Sequence, residues 1–263
     1  MTLENKVIWI TGASSGIGKA TALHFSKYNC KLIVSSRREK ELEQVKNQCT
    51  TPENIAVLPF DLADYNTMAS VAEKAISLFG RIDILINNGG ISQRSLIKDT
   101  DISVDKKLMD IDYLGTVALS KSVLPYFIDQ KSGHYVTITS LMGKFGSPYR
   151  SGYCGAKHAL HGFFDVLRME HEKDNIKVTL ICPGFVNTDV SINALTGDGT
   201  NLNAMDEATQ NGLDTSVFVE RMLKAIQKEK FEAYIGKKEV LGIYLKRFFP
   251  KLLHKFVMRS KVR

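Results

Sequence analysis

Thr11-Gly12-Ala13-Ser14-Ser15-Gly16-Ile17-Gly18 stands between the apolar run Val7-Ile8-Trp9-Ile10 and a segment of helical pattern. A strand that ends in a glycine-rich turn and passes straight into a helix builds a phosphate cradle. The glycines permit a tight turn and close approach of backbone to a pyrophosphate. The helix start adds free N–H groups and the positive end of its dipole. The spacing is Gly-x3-Gly-x-Gly rather than the common Gly-x-Gly-x-x-Gly. The strand before it, the helix after it and its place near the start of the chain nonetheless make dinucleotide binding the expectation.

Outward from that turn, short β-branched runs alternate with helical patterns. Strands are expected at Lys6–Ile10, Lys31–Ser35, Ile55–Pro59, Ile82–Ile86, His134–Thr139, Lys177–Ile181 and Glu232–Ile235. Helices are expected at Gly18–Lys27, Glu39–Gln48, Tyr65–Phe79, Ser103–Ile128, Gly155–Lys173 and Ser216–Gln227. Several strands are apolar throughout, which implies burial on both faces in a parallel sheet. The alternation implies right-handed βαβ units, hence an α/β, Rossmann-type doubly wound parallel sheet of about seven strands with helices on both faces. Residues 1–235 would form the nucleotide-binding catalytic domain. Its one long irregular stretch, 187–213, follows the sixth strand at the edge where ligands of open sheets bind.

Composition excludes several classes. Of 263 residues, 44% are hydrophobic and 24% charged, as in ordinary globular domains. Cys30, Cys49, Cys154 and Cys182 form no CxxC, and with the histidines they give no metal spacing. No metal is expected, and a reducing, cytoplasmic setting follows. No signal peptide or N-terminal anchor is expected at Met1-Thr2-Leu3-Glu4-Asn5-Lys6. The net charge of +7 is localised: 236–263 holds nine lysines and arginines against one acid, Glu239, while the rest holds 26 basic and 27 acidic residues. A near-neutral body argues against nucleic acid as a partner.

The cradle resembles that of the short-chain dehydrogenase/reductase family, whose signature is Thr-Gly-x3-Gly-x-Gly, and the resemblance runs over nearly the whole chain. Asn87-Asn88-Gly89-Gly90 after the fourth strand is similar to the family's Asn-Asn-Ala-Gly, with Gly89 in place of Ala. Asp61-Leu62 resembles the pair that meets the adenine, and Pro183-Gly184-Phe185-Val186-Asn187-Thr188 the segment beside the nicotinamide. The resemblance implies cofactor contacts from Gly12, Ser14, Ser15, Gly16, Ile17, Gly18, Asp61, Leu62, Asn88, Gly89, Tyr153, Lys157, Pro183, Gly184, Val186 and Thr188.

The second strand ends without the acid that would hold the ribose 2′-hydroxyl of NAD. Ser36 sits there, followed by Arg37 and Arg38. A guanidinium can hold a 2′-phosphate through charge-assisted hydrogen bonds, so NADP(H) is the expected cofactor, with Arg37 ahead of Arg38.

The spacing Ser-x12-Tyr-x3-Lys is met by Ser140, Tyr153 and Lys157. In the family such residues carry the reaction. Tyr153 would exchange a proton with the substrate oxygen, Ser140 would hold that oxygen, and Lys157 would favour the phenolate and hold the nicotinamide ribose. Tyr153 and Lys157 lie four apart, on one helical face. The family's Asn before x-x-Gly-Thr is replaced by Asp112 in Asp112-Tyr113-Leu114-Gly115-Thr116. An Asp is a tolerated near-isostere there, or its carboxylate pairs with Lys157 and weakens the activation of Tyr153. The function implied is an NADP(H)-dependent oxidoreductase acting on a carbonyl/alcohol pair. The alternative is a nucleotide-binding regulatory or scaffold protein with the fold and little turnover.

Leu141-Met142-Gly143-Lys144-Phe145, Tyr149 and 190–213 are expected to line the substrate pocket. Ser92-Gln93-Arg94-Ser95, Asn193 to Gly199 and Tyr244-Leu245-Lys246-Arg247-Phe248-Phe249-Pro250 resemble the subgroup of dehydrogenase/reductase member seven, similar to the 11β-hydroxysteroid dehydrogenases. That resemblance implies a hydrophobic ketone, aldehyde or lipid-like or steroid-like alcohol as substrate, and a homodimer or homotetramer. The tail, 236–263, reads as a basic amphipathic helical extension, with Leu252, Leu253, Phe256 and Val257 on one stripe. It meets a membrane peripherally through 241–262, or packs on its own domain or on a sister subunit; it is too charged to span.

Overall fold

The computed structural model describes residues 2–259. Its seven strands are β1 (Val7–Thr11), β2 (Lys31–Ser35), β3 (Ile55–Val57), β4 (Ile84–Asn87), β5 (Gly133–Ile138), β6 (Ile176–Pro183) and β7 (Glu232–Ile235). They form one parallel sheet in the order β3-β2-β1-β4-β5-β6-β7. The order reverses between β1 and β4, and the crevice at the carboxyl ends there is where such sheets bind ligands.

The helices are α1 (Gly16–Phe25), α2 (Glu39–Gln48), α3 (Met68–Phe79), α4 (Ile102–Leu108), α5 (Thr116–Asp129), α6 (Ser151–Glu170), α7 (Glu207–Gln210), α8 (Thr215–Gln227), α9 (Leu241–Phe248) and α10 (Pro250–Arg259). Strand residues alternate between two cores. Ile8, Ile10, Leu32, Val34, Ile84 and Ile86 pack with buried residues of α1, α2 and α8. Val7, Trp9, Ile33, Leu85, Tyr135 and Val178 face α3, α5 and α6. β1, β2 and β4 are therefore apolar on both faces, as their composition requires, and each fully buried large side chain is worth about 1.5–3 kcal/mol.

The expected middle helix, 103–128, is interrupted. Between α4 and α5, Met109–Gly115 form a π-helical turn. One extra residue in a turn shifts the helical phase, and here it carries Asp112 to full burial. The third strand is also shorter than expected: it ends at Val57, although Leu58 N–H still bonds the Val34 carbonyl. The irregular stretch after β6 holds the short helix α7, and its Leu195 bridges both Gln93 and Asn201.

The tail helices α9 and α10 lie on the body. Leu253 is buried, with Val257 and Leu245 packed around it, against Leu141, Phe145 and Cys182. The expected apolar stripe is thus divided: Leu253 and Val257 turn inward, while Leu252 and Phe256 stay exposed. Residues 260–263 lie outside the described set. No helix among the described residues is long and apolar enough to cross a membrane.

Candidate active site

Gly12 and Gly16 adopt positive φ angles of 64° and 54°, which β-carbon-bearing residues rarely take. At Gly12 a Cβ would fall 2.7 Å from Gly89 Cα, and at Gly18 one would fall 2.3 Å from the Gly12 carbonyl oxygen. The cradle is therefore closed from behind by its own backbone. Gly18 serves that packing and does not line the cleft, whereas Gly12, Ser14, Ser15, Gly16 and Ile17 do. Asn88 clamps the turn to β4: its Nδ2 donates to the carbonyls of Thr11 (2.9 Å) and Gly12 (3.2 Å). Thr11 Oγ1 in return accepts from the N–H groups of Asn88 and Gly89. Where the resembling family has Ala, a Cβ on Gly89 would meet Leu62 Cδ1 at 2.6 Å, so Leu62 fills the space that a methyl would take.

At the end of β2, Ser35 Oγ accepts from Trp9 Nε1 at 2.8 Å and so belongs to the core. Ser36, Arg37 and Arg38 then line the cleft, with Asp61 and Leu62. Arg38 Nη2 donates to Ser14 Oγ (2.9 Å) and Ser15 Oγ (3.0 Å), which ties it to the cradle. Arg37 makes only a long exposed pair, 3.8 Å, with Asp61. Arg38 is thus the arginine attached to the phosphate turn, although the sequence put Arg37 first.

Ser140 lies two residues beyond β5 in extended backbone and caps the turn that follows, its Oγ accepting from Met142 N–H at 3.1 Å. Tyr153 and Lys157 lie in the first two turns of α6, with the Lys157 ammonium 5.6 Å from the Tyr153 ring centroid. All three line the cleft with Pro183, Gly184, Val186 and Thr188. Below them, Asp112 Oδ2 stands 3.4 Å from Lys157 Nζ, and Oδ1 accepts from Ile91 N–H at 2.7 Å. Asp112 does not line the cleft; it meets the site through Lys157. Burial pushes its carboxyl above the usual value, against the pull of Lys157 and the Ile91 N–H. Burial lowers the Lys157 pKa, but Asp112 and Tyr153 outweigh that and leave it above the ordinary lysine value.

The cleft is one continuous space of about 1030 Å³. Leu141, Met142 and Phe145 line it as expected, while Gly143, Lys144 and Tyr149 do not. Gly143 packs on His161, Lys144 pairs with Glu232, and Tyr149 is held at φ 67° just before α6. From 190–213 come Val190, Asn193, Leu195, Asn201, Ala208 and Thr209.

Two polar clusters were not foreseen. Glu232 on β7 receives Lys144, Tyr234 and His161 Nδ1, the last at 3.2 Å, which joins the turn after Ser140 to α6. Arg94, Arg150 and Asp206 meet on the substrate side of the cleft. Arg94 and Asp206 lie 112 residues apart, and no local spacing announces such a pair.

The short chain dehydrogenase family model matches residues 6–198. Dehydrogenase/reductase SDR family member 7B of Mus musculus is 39% identical over 267 residues, spanning 99% of this chain and 82% of that protein. Dehydrogenase/reductase SDR family member 7 of Homo sapiens is 42% identical over 255 residues, 94% of this chain and 75% of its own. Among solved structures, a short chain dehydrogenase/reductase from Burkholderia phymatum in complex with NAD superposes with a TM-score of 0.84 at 19% identity, over 96% of each chain. ElxO with NADP bound superposes with a TM-score of 0.67 at 30% identity, over 70% of this chain and 75% of that one.

Proposed function

This chain belongs to the short-chain dehydrogenase family of oxidoreductases, and on that footing we propose that it interconverts a carbonyl and an alcohol with NADP(H), on a substrate with a bulky apolar body. The observation that carries this reading is that Ser140, Tyr153 and Lys157 line the same cleft as the glycine cradle.

The cradle fits a dinucleotide: bare glycine backbone at Gly12 and Gly16 fronts the cleft at the start of α1. Ser14, Ser15, Ile17, Leu62, Asn88 and Gly89 would hold its adenosine half, and Pro183, Gly184, Val186 and Thr188 its nicotinamide half. The phosphate form is favoured because β2 ends without an acid, and Arg38 leans on the cradle. When bound, the nicotinamide supplies or accepts a hydride. Tyr153 would give the proton to the carbonyl oxygen, or take one from the alcohol, while Ser140 steadies the charge growing on that oxygen. Lys157 would hold the nicotinamide ribose.

Phe145, Leu241, Leu245, Leu253 and Phe256 supply the apolar wall that suits a hydrophobic ketone, aldehyde or lipid-like alcohol. A panel of such carbonyls and alcohols, assayed with both cofactors, is expected to give NADPH-dependent turnover. Inactivity across the panel with tight NADPH binding would instead support a regulatory or scaffold protein, a reading favoured by the Asp112 carboxylate already drawn to Lys157.

The outer side of α9 and α10 exposes Tyr244, Phe248, Phe249 and Leu252 among Lys246, Arg247, Lys251 and Lys255. This supports peripheral membrane contact through 241–262 of a cytoplasmic protein, of which 260–262 lie outside the described residues. Co-sedimentation with anionic vesicles, lost as salt is raised, is the expected result. A homodimer or homotetramer is expected by sizing; a change of oligomeric state on removing 245–263, with no vesicle binding, would place a sister subunit on that face instead.

A further inference from the structure

The substrate side of the cleft carries an unbalanced charge. Arg94 and Arg150 both line it, and one carboxylate, Asp206, stands between them. Their side chains are 7%, 5% and 4% exposed. The two arginines are unequally served. Arg94 Nη2 and Nε donate to Asp206 Oδ2 at 2.6 and 3.1 Å, and its Nη1 donates to Ser92 Oγ and the Gln93 carbonyl. Asp206 Oδ1 accepts from Thr209 N–H at 2.7 Å. Arg150 Nη2 stands 3.8 Å from Asp206 Oδ2, an oxygen Arg94 already holds, and its Nη1 reaches Ser147 Oγ at 3.4 Å.

A guanidinium offers five N–H donors and is costly to bury without a matched anion. Burial and the neighbouring Arg94 pull the Arg150 guanidinium down to about 10, and Asp206 restores only part of that. At neutral pH it is still a cation. Lys107 and Lys238, which also line the cleft, are matched in number by Asp189 and Glu239, so Arg94 and Arg150 against Asp206 leave one positive charge. Arg150 is the N-cap of α6 and Tyr153 its third residue, and both line the cleft. Leu241, Leu245, Leu253, Phe256 and Val257 of the tail helices line the same cavity.

We propose that Arg150 receives a carboxylate of the substrate, so that this protein acts on amphipathic oxo or hydroxy acids, with the acid at Arg150 and the apolar body against α9 and α10. The inference rests on the oxidoreductase reading for its reaction, but the carboxylate site stands on its own geometry. A single surplus charge suits a monoanionic carboxylate, which a guanidinium holds through two parallel hydrogen bonds. A second negative charge would meet Asp206.

The test is calorimetric titration of the full chain, loaded with NADPH, with decanoate and with decanamide, which match in length and differ in charge. Decanoate is expected to bind about tenfold more tightly or better, the worth of one charge-assisted contact. Arg150→Met should bring the ratio close to one, and Arg150→Lys should keep part of it. A ratio near one in the unaltered protein overturns the proposal whatever the variants do, as does a preference that survives in a folded Arg150→Met. Straight-chain oxo acids and their methyl esters, assayed with NADPH, form the second arm, with the acids expected to have the higher kcat/KM. Tight, Arg150-dependent decanoate binding without turnover of any oxo acid would support the carboxylate site and remove the reaction.

Discussion

Lys157 Nζ stands 3.4 Å from Asp112 Oδ2, with side-chain exposures of 6% and 0%. The ammonium that faces the Tyr153 ring is therefore shared with a buried carboxylate. That carboxylate holds the lysine pKa above its ordinary value. In Asp112→Asn the lift is lost and the ammonium gives up its proton at lower pH. The alkaline limb of kcat/KM should then retreat to lower pH, while activity near neutrality is equal or higher. A pH profile on any reducible carbonyl measures this. An unmoved alkaline limb, or a large loss of activity at neutral pH, would give the carboxylate a different role.

Arg38 is bonded to the Ser14 and Ser15 hydroxyls of the cradle, while Arg37 makes a long, exposed pair with Asp61. Arg38→Ala should weaken NADPH binding by about tenfold to a hundredfold, the worth of one or two hydrogen bonds to a charged group, and leave NADH binding nearly unaltered. Fluorescence titration with both cofactors reads the difference. Equal affinities in the unaltered protein would remove the preference for the phosphate form.

Tyr153→Phe removes one hydroxyl from a ring that also packs among Val104, Leu108 and Leu195. The ring and the cradle remain. Turnover should fall by about 10²–10⁴-fold, the span of a lost general acid, with NADPH affinity unchanged. Substantial residual turnover would mean that another group delivers the proton.

Glu232 predicts an acid limb of stability. Burial raises its pKa, but His161, Lys144 and Tyr234 outweigh burial and hold it at about 2, against an ordinary value of 4.5. A folded-state pKa below the unfolded one stabilises above pH 4.5 and loses that contribution as pH falls toward 2. Glu232→Gln should therefore flatten the acid dependence of the melting temperature over this window. It should also cost about 1–3 kcal/mol at neutral pH, through the loosened partners. An acid profile parallel to that of the unaltered protein would contradict the assignment.

What could be read from the sequence was local. Val7-Ile8-Trp9-Ile10 is apolar on both faces, and only a sheet covered on both sides buries it. Eight consecutive residues, 11–18, contain the cradle, and the Ser140, Tyr153 and Lys157 spacing spans one loop and two helical turns. The π-helical turn at Met109–Gly115 was hidden because one inserted residue leaves the apolar pattern helical on either side. The orientation of Arg38 was hidden because adjacent arginines differ only in how their side chains are caught. Glu232 with His161, and Asp206 with Arg94, join residues 71 and 112 positions apart, so only the folded chain brings them together.

Helix α10 has two sides with different owners. Leu253 and Val257 are at once part of the cavity wall and part of the apolar cluster over Leu141, while Leu252 and Met258 are exposed and do not line the cavity. A molecule inside the cavity and one resting on the outer face would therefore press on the same ten residues from opposite directions. Free-energy reciprocity then applies: if occupancy outside changes the affinity inside by some factor, occupancy inside changes the affinity outside by the same factor. Filling the cavity would in that case alter how firmly any outer partner of α10 is held, and such a partner would alter the grip on the cavity's occupant by the same factor.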